Sequence, residues 1–291
     1  HKSRKTVKPI CEVANVKDRY RMNVLFDTYK PQLVFHAAAY KHVPIIEKAP
    51  YEGIFVNVFG TRIVADLSME YGVEKFVMVS TDKAVNPTNV MGATKRVAEL
   101  YTQSLNEFGK TKFIATRFGN VLGSNGSVVP LFRKQIEAGG PITVTHEEIT
   151  RYFMTIPEAC NLVLEAGAMG KGGEVFVFDM GEPVKIMDMA EKMIRLSGLV
   201  LGKDIEIKVT GLRPGEKLYE ELLASSENTL PTHHPKILRA NVNTFSHNTI
   251  KEQLNLLTEI MIDGDVVGMV RKVKTIVPEY ISQNSEFEAL D

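Results

Sequence analysis

Short apolar runs of β-branched and aromatic residues alternate along the chain with stretches whose apolar positions recur every three or four residues. Leu33-Val34-Phe35 and Phe76-Val77-Met78-Val79 each read as a buried strand. Between them Ile54, Val58, Thr61 and Ala65 keep helical spacing, and Gly72 follows as a C-cap. A helix over 93–108 comes next, with Val97, Leu100 and Tyr101 on one face and Gly109 as its stop. Phe113-Ile114-Ala115-Thr116 forms a further strand. This β-α-β-α-β rhythm predicts an α/β fold, a doubly wound parallel sheet with helices on both faces.

Beyond residue 120 the rhythm loosens. A Gly/Ser-rich loop from Gly119 to Ser127 leads to a helix over 129–138, then Gly139-Gly140 and a strand at Ile142-Thr143-Val144. A helix over 157–168 and the strand Val175-Phe176-Val177-Phe178 return to the main sheet. Asp188 reads as the N-cap of a helix ending near Gly198, and Ile205 to Val209 alternates like a half-buried strand. The expected organisation is a main domain over 1–120, to which 151–180 return, and a smaller α/β lobe over 121–150 and 181–280. That lobe would cap the carboxyl edge of the sheet, where ligands of doubly wound folds sit. The polar residues 281–291 are expected to form a flexible tail.

The first strand, Pro9 to Val13, resembles the third strand of a dinucleotide-binding sheet. A glycine-rich turn normally follows the first strand of such a sheet, and no such turn occurs near the start of this chain. The sheet is therefore expected to be incomplete at its N-terminal side, lacking its first βαβ unit and the helix N-terminus that holds a pyrophosphate.

Composition narrows the function. The chain has 291 residues, 44% hydrophobic and 24% charged, with 35 basic and 35 acidic side chains. A neutral balance gives no support to nucleic-acid wrapping or adhesion to a charged membrane surface. Cys11 and Cys160 show no CxxC spacing, which argues against a disulfide framework or a metal site and for a reducing cytoplasm. No apolar run approaches the roughly 18 residues that span a bilayer, and residues 1–10 are basic with no apolar core behind them.

The chemistry-bearing segments lie directly after strands. HAAAYKHVP (36–44) follows the strand ending at Phe35, and Ala37, Ala38 and Ala39 let backbone approach a flat ligand closely. Lys41 and His42 follow in the loop. STDKAVNPTNVMGATKR (80–96) follows the next strand. Four more blocks come in order: RFGNVLGSNGSVVPLF (117–132), TRYFMTIPEA (150–159), FDMGEPVKI (178–186) and GLRPGEKLYEEL (211–222). Together these blocks resemble the extended short-chain dehydrogenase/reductases, and within them the nucleotide-sugar 4,6-dehydratases of capsule, O-antigen and flagellin-glycan pathways.

The resemblance implies a Rossmann-like sheet, an NAD cofactor in preference to NADP, and a UDP-sugar substrate such as UDP-GlcNAc. It implies a redox-neutral dehydration: C4 is oxidised, water leaves across C5 and C6, and hydride returns to C6. Carried over, Asp82 is the acid at the C6 hydroxyl and Lys83 the base at C5, while Thr81 bonds the C4 oxygen. Lys95 holds the nicotinamide ribose. Met91 departs from the pattern, because the superfamily usually places Tyr four residues before that Lys, one turn away on the same face. A thioether carries no exchangeable proton. The chain resembles a Met-bearing branch in which Asp82, Lys83 or a water held by Thr81 takes the C4 proton. Asn15-Val16 stands where relatives have Asp-Val against the adenine.

Ser80 and Phe118 are further cofactor candidates, and Asn57 and Thr61 would face the cofactor side of their helix. Asn120 would contact the sugar or phosphate, Arg151 and Arg213 the diphosphate, and Glu216 the uridine ribose. The resemblance also implies self-association and, in the Met-bearing branch, a membrane anchor ahead of a cytoplasmic domain. This chain alone is expected to bind NAD weakly or not at all. Two competing readings are a UDP-sugar 4- or 5-epimerase and a non-catalytic UDP-sugar-binding module. The Asp82-Lys83 pair favours dehydration over epimerisation, and the binding-module reading stays open.

Overall fold

A computed structural model describes residues 8–221, 228–242 and 244–291. Residues 1–7 of the basic opening stretch and Leu222, the last residue of the 211–222 block, lie outside the described residues. The elements run α1 (Arg19–Tyr29), β1 (Leu33–His36), α2 (Val43–Lys48), α3 (Pro50–Ile54), α4 (Thr61–Glu70) and β2 (Lys75–Val79). Next come α5 (Val90–Ser104), β3 (Lys112–Arg117), β4 (Asn120–Val121), α6 (Val128–Glu137), β5 (Ile142–Val144), β6 (Thr150–Arg151), β7 (Phe153–Met154) and α7 (Ile156–Met169). The chain continues through β8 (Val175–Phe178), β9 (Val184–Lys185), α8 (Ile186–Leu196) and β10 (Ile207–Val209). It closes with β11 (Thr229–Pro231), β12 (Ile237–Ala240), α9 (His247–Ile262) and α10 (Val266–Ile276).

The main sheet has the order β1-β2-β3-β8-β12-β11. Its first four strands are parallel, as the alternation predicts, and β12 and β11 add an antiparallel edge. Strands buried on both faces need continuous apolar runs, and Phe76, Val77, Met78, Phe113, Ile114 and Phe176 supply them. Phe76, Met78 and Phe113 pack under α4, α5, α9 and α10 on one face. Val77, Ile114 and Phe176 meet α7 on the other. Losing the ring of a buried Phe such as Phe113 costs about 3–5 kcal/mol. A third cluster, from Phe132, Ile142, Ile186, Ala190 and Ile194, holds α6, β5, α8 and β10 together as the smaller lobe.

Four sequence expectations change. Residues 9–13 form no strand, because no neighbouring strand lies alongside to complete a ladder; the outer edge of β1 has no partner among the described residues. Asp188 is not an N-cap: α8 begins at Ile186 and Asp188 lies in its first turn, where a carboxylate meets the helix dipole. The smaller lobe gives up its later residues, since β11 and β12 join the main sheet and α9 and α10 cover α5. All fifteen residues of α5 are buried as a result. The tail over 281–291 is docked rather than frayed: it ends in a short 3-10 turn whose Phe287 is buried in the main core. Among the described residues no helix is long and apolar enough to cross a membrane.

Candidate active site

A cleft of about 520 Å³ opens at the carboxyl edge of the parallel strands, with walls from both lobes. Its floor is the segment after β2. Ser80 N donates to Thr116 O at 2.7 Å and Asp82 N to Phe118 O at 3.1 Å, so the β3 side holds the backbone past the strand's end. Thr81 then caps a 3-10 turn over Asp82–Ala84, its hydroxyl accepting from Lys83 N at 3.3 Å. Three residues per turn swing neighbouring side chains about 120° apart. Lys83 therefore faces the cleft with 18% of its side chain exposed, while the Asp82 side chain is fully buried.

This geometry corrects one expectation. Thr81, Lys83, Met91 and Lys95 line the cleft, but Asp82 lies behind them. Asp82 Oδ1 accepts from Lys83 Nζ at 3.0 Å and from Thr81 Oγ1 at 2.8 Å. Asp82 Oδ2 is buried with no hydrogen-bond partner. Any proton that Asp82 exchanges with a ligand passes through Thr81 or Lys83.

Lys83 has a second anion. Its Nζ lies 3.1 Å from Glu220 Oε1. Burial pulls the Lys83 pKa down, but the Asp82 and Glu220 carboxylates outweigh it and hold the pKa above the ordinary lysine value. In this arrangement Lys83 is an ammonium. Glu220 lies in the quoted 211–222 block, yet sequence reasoning singled out only Arg213 and Glu216 there. The missed signal was a further carboxylate four residues beyond Glu216.

The opposite side of the floor is α5. Asn89 caps it, with Oδ1 accepting from Gly92 N at 2.8 Å. Met91 and Lys95, one turn apart, present their side chains to the cleft. Lys95 is 4% exposed, and among the described residues its ammonium has no hydrogen-bond acceptor. Burial lowers its pKa to about 8, and Glu99 offsets this only in part. The Glu99 carboxylate is already committed to Arg117 at 2.7 Å and Arg96 at 3.1 Å.

At the far end, Arg151 Nη2 lies 3.3 Å from Glu216 Oε1, and Arg213 Nη2 lies 3.1 Å from the same oxygen. Burial pushes the Glu216 pKa up, but the Arg213 bond and charge bring it below the usual range. Asn120, Lys41 and His42 complete the lining, with Lys41 Nζ reaching Ser124 Oγ at 3.4 Å across the mouth.

The cofactor candidates divide. Ala37, Ala39, Ser80 and Phe118 line the cleft. Ala37 also borders a second, apolar cavity of about 370 Å³ together with Ala38 and Val16. Asn15 is exposed and spends its Oδ1 on Lys17 N at 3.0 Å. Asn57 is wholly buried: Oδ1 accepts from Tyr40 N, and Nδ2 donates to Tyr40 O and Thr94 Oγ1. Thr61 Oγ1 donates to Asn57 O and meets His36 Nε2. Asn57 and Thr61 therefore brace the strand-end loop, with their polar groups spent within the protein.

Residues 1–242 match the family model described as polysaccharide biosynthesis protein. The chain belongs to that family. One relative is capsular polysaccharide biosynthesis protein CapD from Staphylococcus aureus, 56% identical over 253 residues. That match takes in 87% of this chain but 41% of CapD, so the chain spans about two fifths of that relative's length. A UDP-N-acetylglucosamine 4,6-dehydratase (inverting) from Campylobacter jejuni is 37% identical over 222 residues, covering 75% of this chain and 63% of the relative. Among solved structures, Pen from Bacillus thuringiensis superposes with a TM-score of 0.72 at 33% identity, covering 84% of this chain and 81% of Pen. DesIV, a dTDP-glucose 4,6-dehydratase from Streptomyces venezuelae solved with NAD, shares the fold at a TM-score of 0.63 and 18% identity, covering 70% of this chain and 68% of DesIV. The likeness to extended short-chain dehydrogenase/reductases of the nucleotide-sugar dehydratase kind, read from the six blocks, is borne out.

Proposed function

We propose that this polysaccharide biosynthesis domain carries the site for NAD-dependent dehydration of a UDP-N-acetylhexosamine, UDP-GlcNAc foremost, to its 4-keto-6-deoxy form. One observation carries the reading: Lys83, backed by Asp82, lines the same cleft as Lys95, and the ion pairs through Glu220, Arg151 and Glu216 lead from it to Arg213. That spacing of chemistry suits a sugar at the floor and a diphosphate at the rim. The named C. jejuni relative supports the sugar class.

The nicotinamide end of an NAD fits the residues present. Ala37 and Ala39 put only methyl groups on the wall, Ser80 and Phe118 flank them, and Lys95 offers a buried ammonium with no hydrogen-bond acceptor among the described residues. No glycine-rich pyrophosphate turn occurs among the described residues. Bound NAD+ supplies the hydride acceptor at C4 and the donor at C6.

The protein's own groups then account for the protons. Thr81 holds the C4 hydroxyl and passes its proton to the Asp82 carboxylate, to which the Thr81 hydroxyl donates at 2.8 Å. This relay replaces the phenol that Met91 lacks. Once Asp82 is neutral, Lys83 loses one of its two anions and releases its proton to water in the cleft more readily. As the free amine it removes the C5 proton, acidified by the C4 ketone. Asp82 returns its proton through Thr81 to the departing C6 hydroxyl, so water leaves. Lys83 gives its proton back to C5. Lys83, left as the amine, then takes back from water the proton it had released, so protons balance over the cycle and the pair returns to its resting state.

The test is incubation of this chain, and of the full-length gene product, with NAD+ and UDP-GlcNAc under proton NMR. A new methyl doublet for C6 is the expected result. Inversion at C4 with no methyl signal would replace dehydration by epimerisation, and UDP-sugar binding with no reaction in either form would leave only a binding module.

A further inference from the structure

Glu220 is 7% exposed and stands between the two ends of the cleft. Its Oε1 lies 3.1 Å from Lys83 Nζ and 3.6 Å from Arg151 Nε, while its Oε2 is buried without a hydrogen-bond partner. Charges therefore alternate across the floor: Asp82, Lys83, Glu220, Arg151, Glu216, Arg213. A buried carboxylate with an unmet oxygen costs free energy, and a packed neutral side chain usually serves stability as well or better. Stability alone does not account for a glutamate here. Its reach to two cations that line the cleft, Lys83 and Arg151, does.

We propose that Glu220 is a positioning residue that holds the Lys83 amine toward the reacting carbons and sets how tightly Lys83 keeps its proton. The inference rests on the dehydratase reading for its consequence in turnover, but its physical content is independent of it. Asp82 anchors the amine from below and Glu220 from the side, so two carboxylates share one ammonium. Arg151 from β6 opposes them at longer range and Lys95 enters the same cleft from α5. When Asp82 takes up the C4 proton, Glu220 becomes the remaining carboxylate on Lys83. It keeps the amine in place, and it fixes the pH at which the amine becomes free.

The test is a lysine titration by carbon-13 NMR on the full chain, with the Lys83 signal assigned by its loss in Lys83→Met. Wild-type Lys83 is expected to titrate above the ordinary lysine range. In Glu220→Gln, which keeps shape and removes charge, it should titrate lower by about one pH unit, a tenfold fall in proton affinity. Glu220→Asp, one carbon shorter, should lie between the two and remains available if the Gln variant does not fold. In the turnover assay the rising limb of kcat should move to lower pH in Glu220→Gln, with KM little changed. An unmoved Lys83 titration in both variants overturns the inference, even where turnover is present. Absence of dehydration in the wild type strikes the proposed function instead and leaves the titration to decide the role of Glu220.

Discussion

Each side of the cleft floor carries a lysine, and the two sides shift its proton affinity in opposite directions. After β2, Lys83 has carboxylates at 3.0 and 3.1 Å, and its pKa is raised despite burial. On α5, Lys95 is more secluded, at 4% exposed, Glu99 is spent on Arg117 and Arg96, and burial carries the pKa down to about 8. Burial therefore accounts for the lowered Lys95 but not for the raised Lys83. The nearest uncommitted carboxylate decides, which is why one side is built to hold a proton and the other is poised near neutrality.

The largest expected effect comes from breaking the first side. Lys83→Met should lower kcat by about a thousandfold, in the range that general acid–base groups supply, with the methyl signal of the product as the readout. The second side responds in the opposite sense on stability. Lys95 has a folded pKa of about 8 against an unfolded value near 10.4. Between those values the unfolded chain binds more protons, so stability rises as pH rises, by about 1.4 kcal/mol per unit. Below pH 8 the full penalty is present. Lys95→Met should remove it, stabilising the protein at pH 7 by up to roughly 3 kcal/mol and flattening the slope above pH 8 in urea titrations. Activity should fall in the same variant. A destabilised Lys95→Met at neutral pH would mean that an unseen acceptor holds the ammonium.

A smaller effect tests how the two sides are joined. A Cβ placed on Gly92, in the first turn of α5, would lie 2.1 Å from the Lys83 carbonyl oxygen. Backbone has to move to admit it. Gly92→Ala should cost about 1–3 kcal/mol, the usual range for overpacking, and should lower activity through the displaced Lys83. Equal stability and activity in that variant would show the two sides to be mechanically independent.

The fold was more legible than the side-chain directions within it. Continuous apolar strands and the helical spacing between them place β2, β3 and β8, because burial on both faces leaves few other patterns. The same kind of apolar run places β1, but it is an edge strand and not the buried one expected, since Leu33 and Phe35 are exposed. The strands β11 and β12 were not read: Ile237–Ala240 is short and flanked by polar residues, and its partner β8 lies some sixty residues away. At the site, motif position located Thr81, Lys83, Met91, Lys95, Arg151, Arg213 and Glu216 on one cleft. It did not show that a 3-10 turn rotates Asp82 away from the cleft, or that the hydrogen-bonding groups of Asn57 are consumed by Tyr40 and Thr94. Such facts depend on backbone rotation and on partners distant in sequence. The docked tail was missed for a related reason, since polar composition does not reveal which polar groups have partners waiting.

That tail supplies the smallest prediction. Gln283 O accepts from Gly215 N and Gln283 N donates to Thr88 O, so residues 281–285 lie across the loops that lead into both sides of the floor. Ser285 Oγ donates to Glu47 Oε2 at 2.5 Å, and Glu47 Oε1 accepts from Val90 N, the first residue of α5, at 2.6 Å. Burial raises the Glu47 pKa, and the Ser285 bond is the largest effect opposing it. Ser285→Ala should therefore cost about 1–2 kcal/mol at pH 7, where the carboxylate is charged and loses a donor. The sign with pH follows from the raised value. A carboxyl that is easier to protonate when folded contributes most below its unfolded pKa and loses that contribution as pH rises through the folded one. The cost of Ser285→Ala should accordingly shrink in urea titrations at pH 4, where Glu47 is largely protonated. An equal cost at both pH values would assign Ser285 to packing of the tail and separate it from the charge that holds the start of α5.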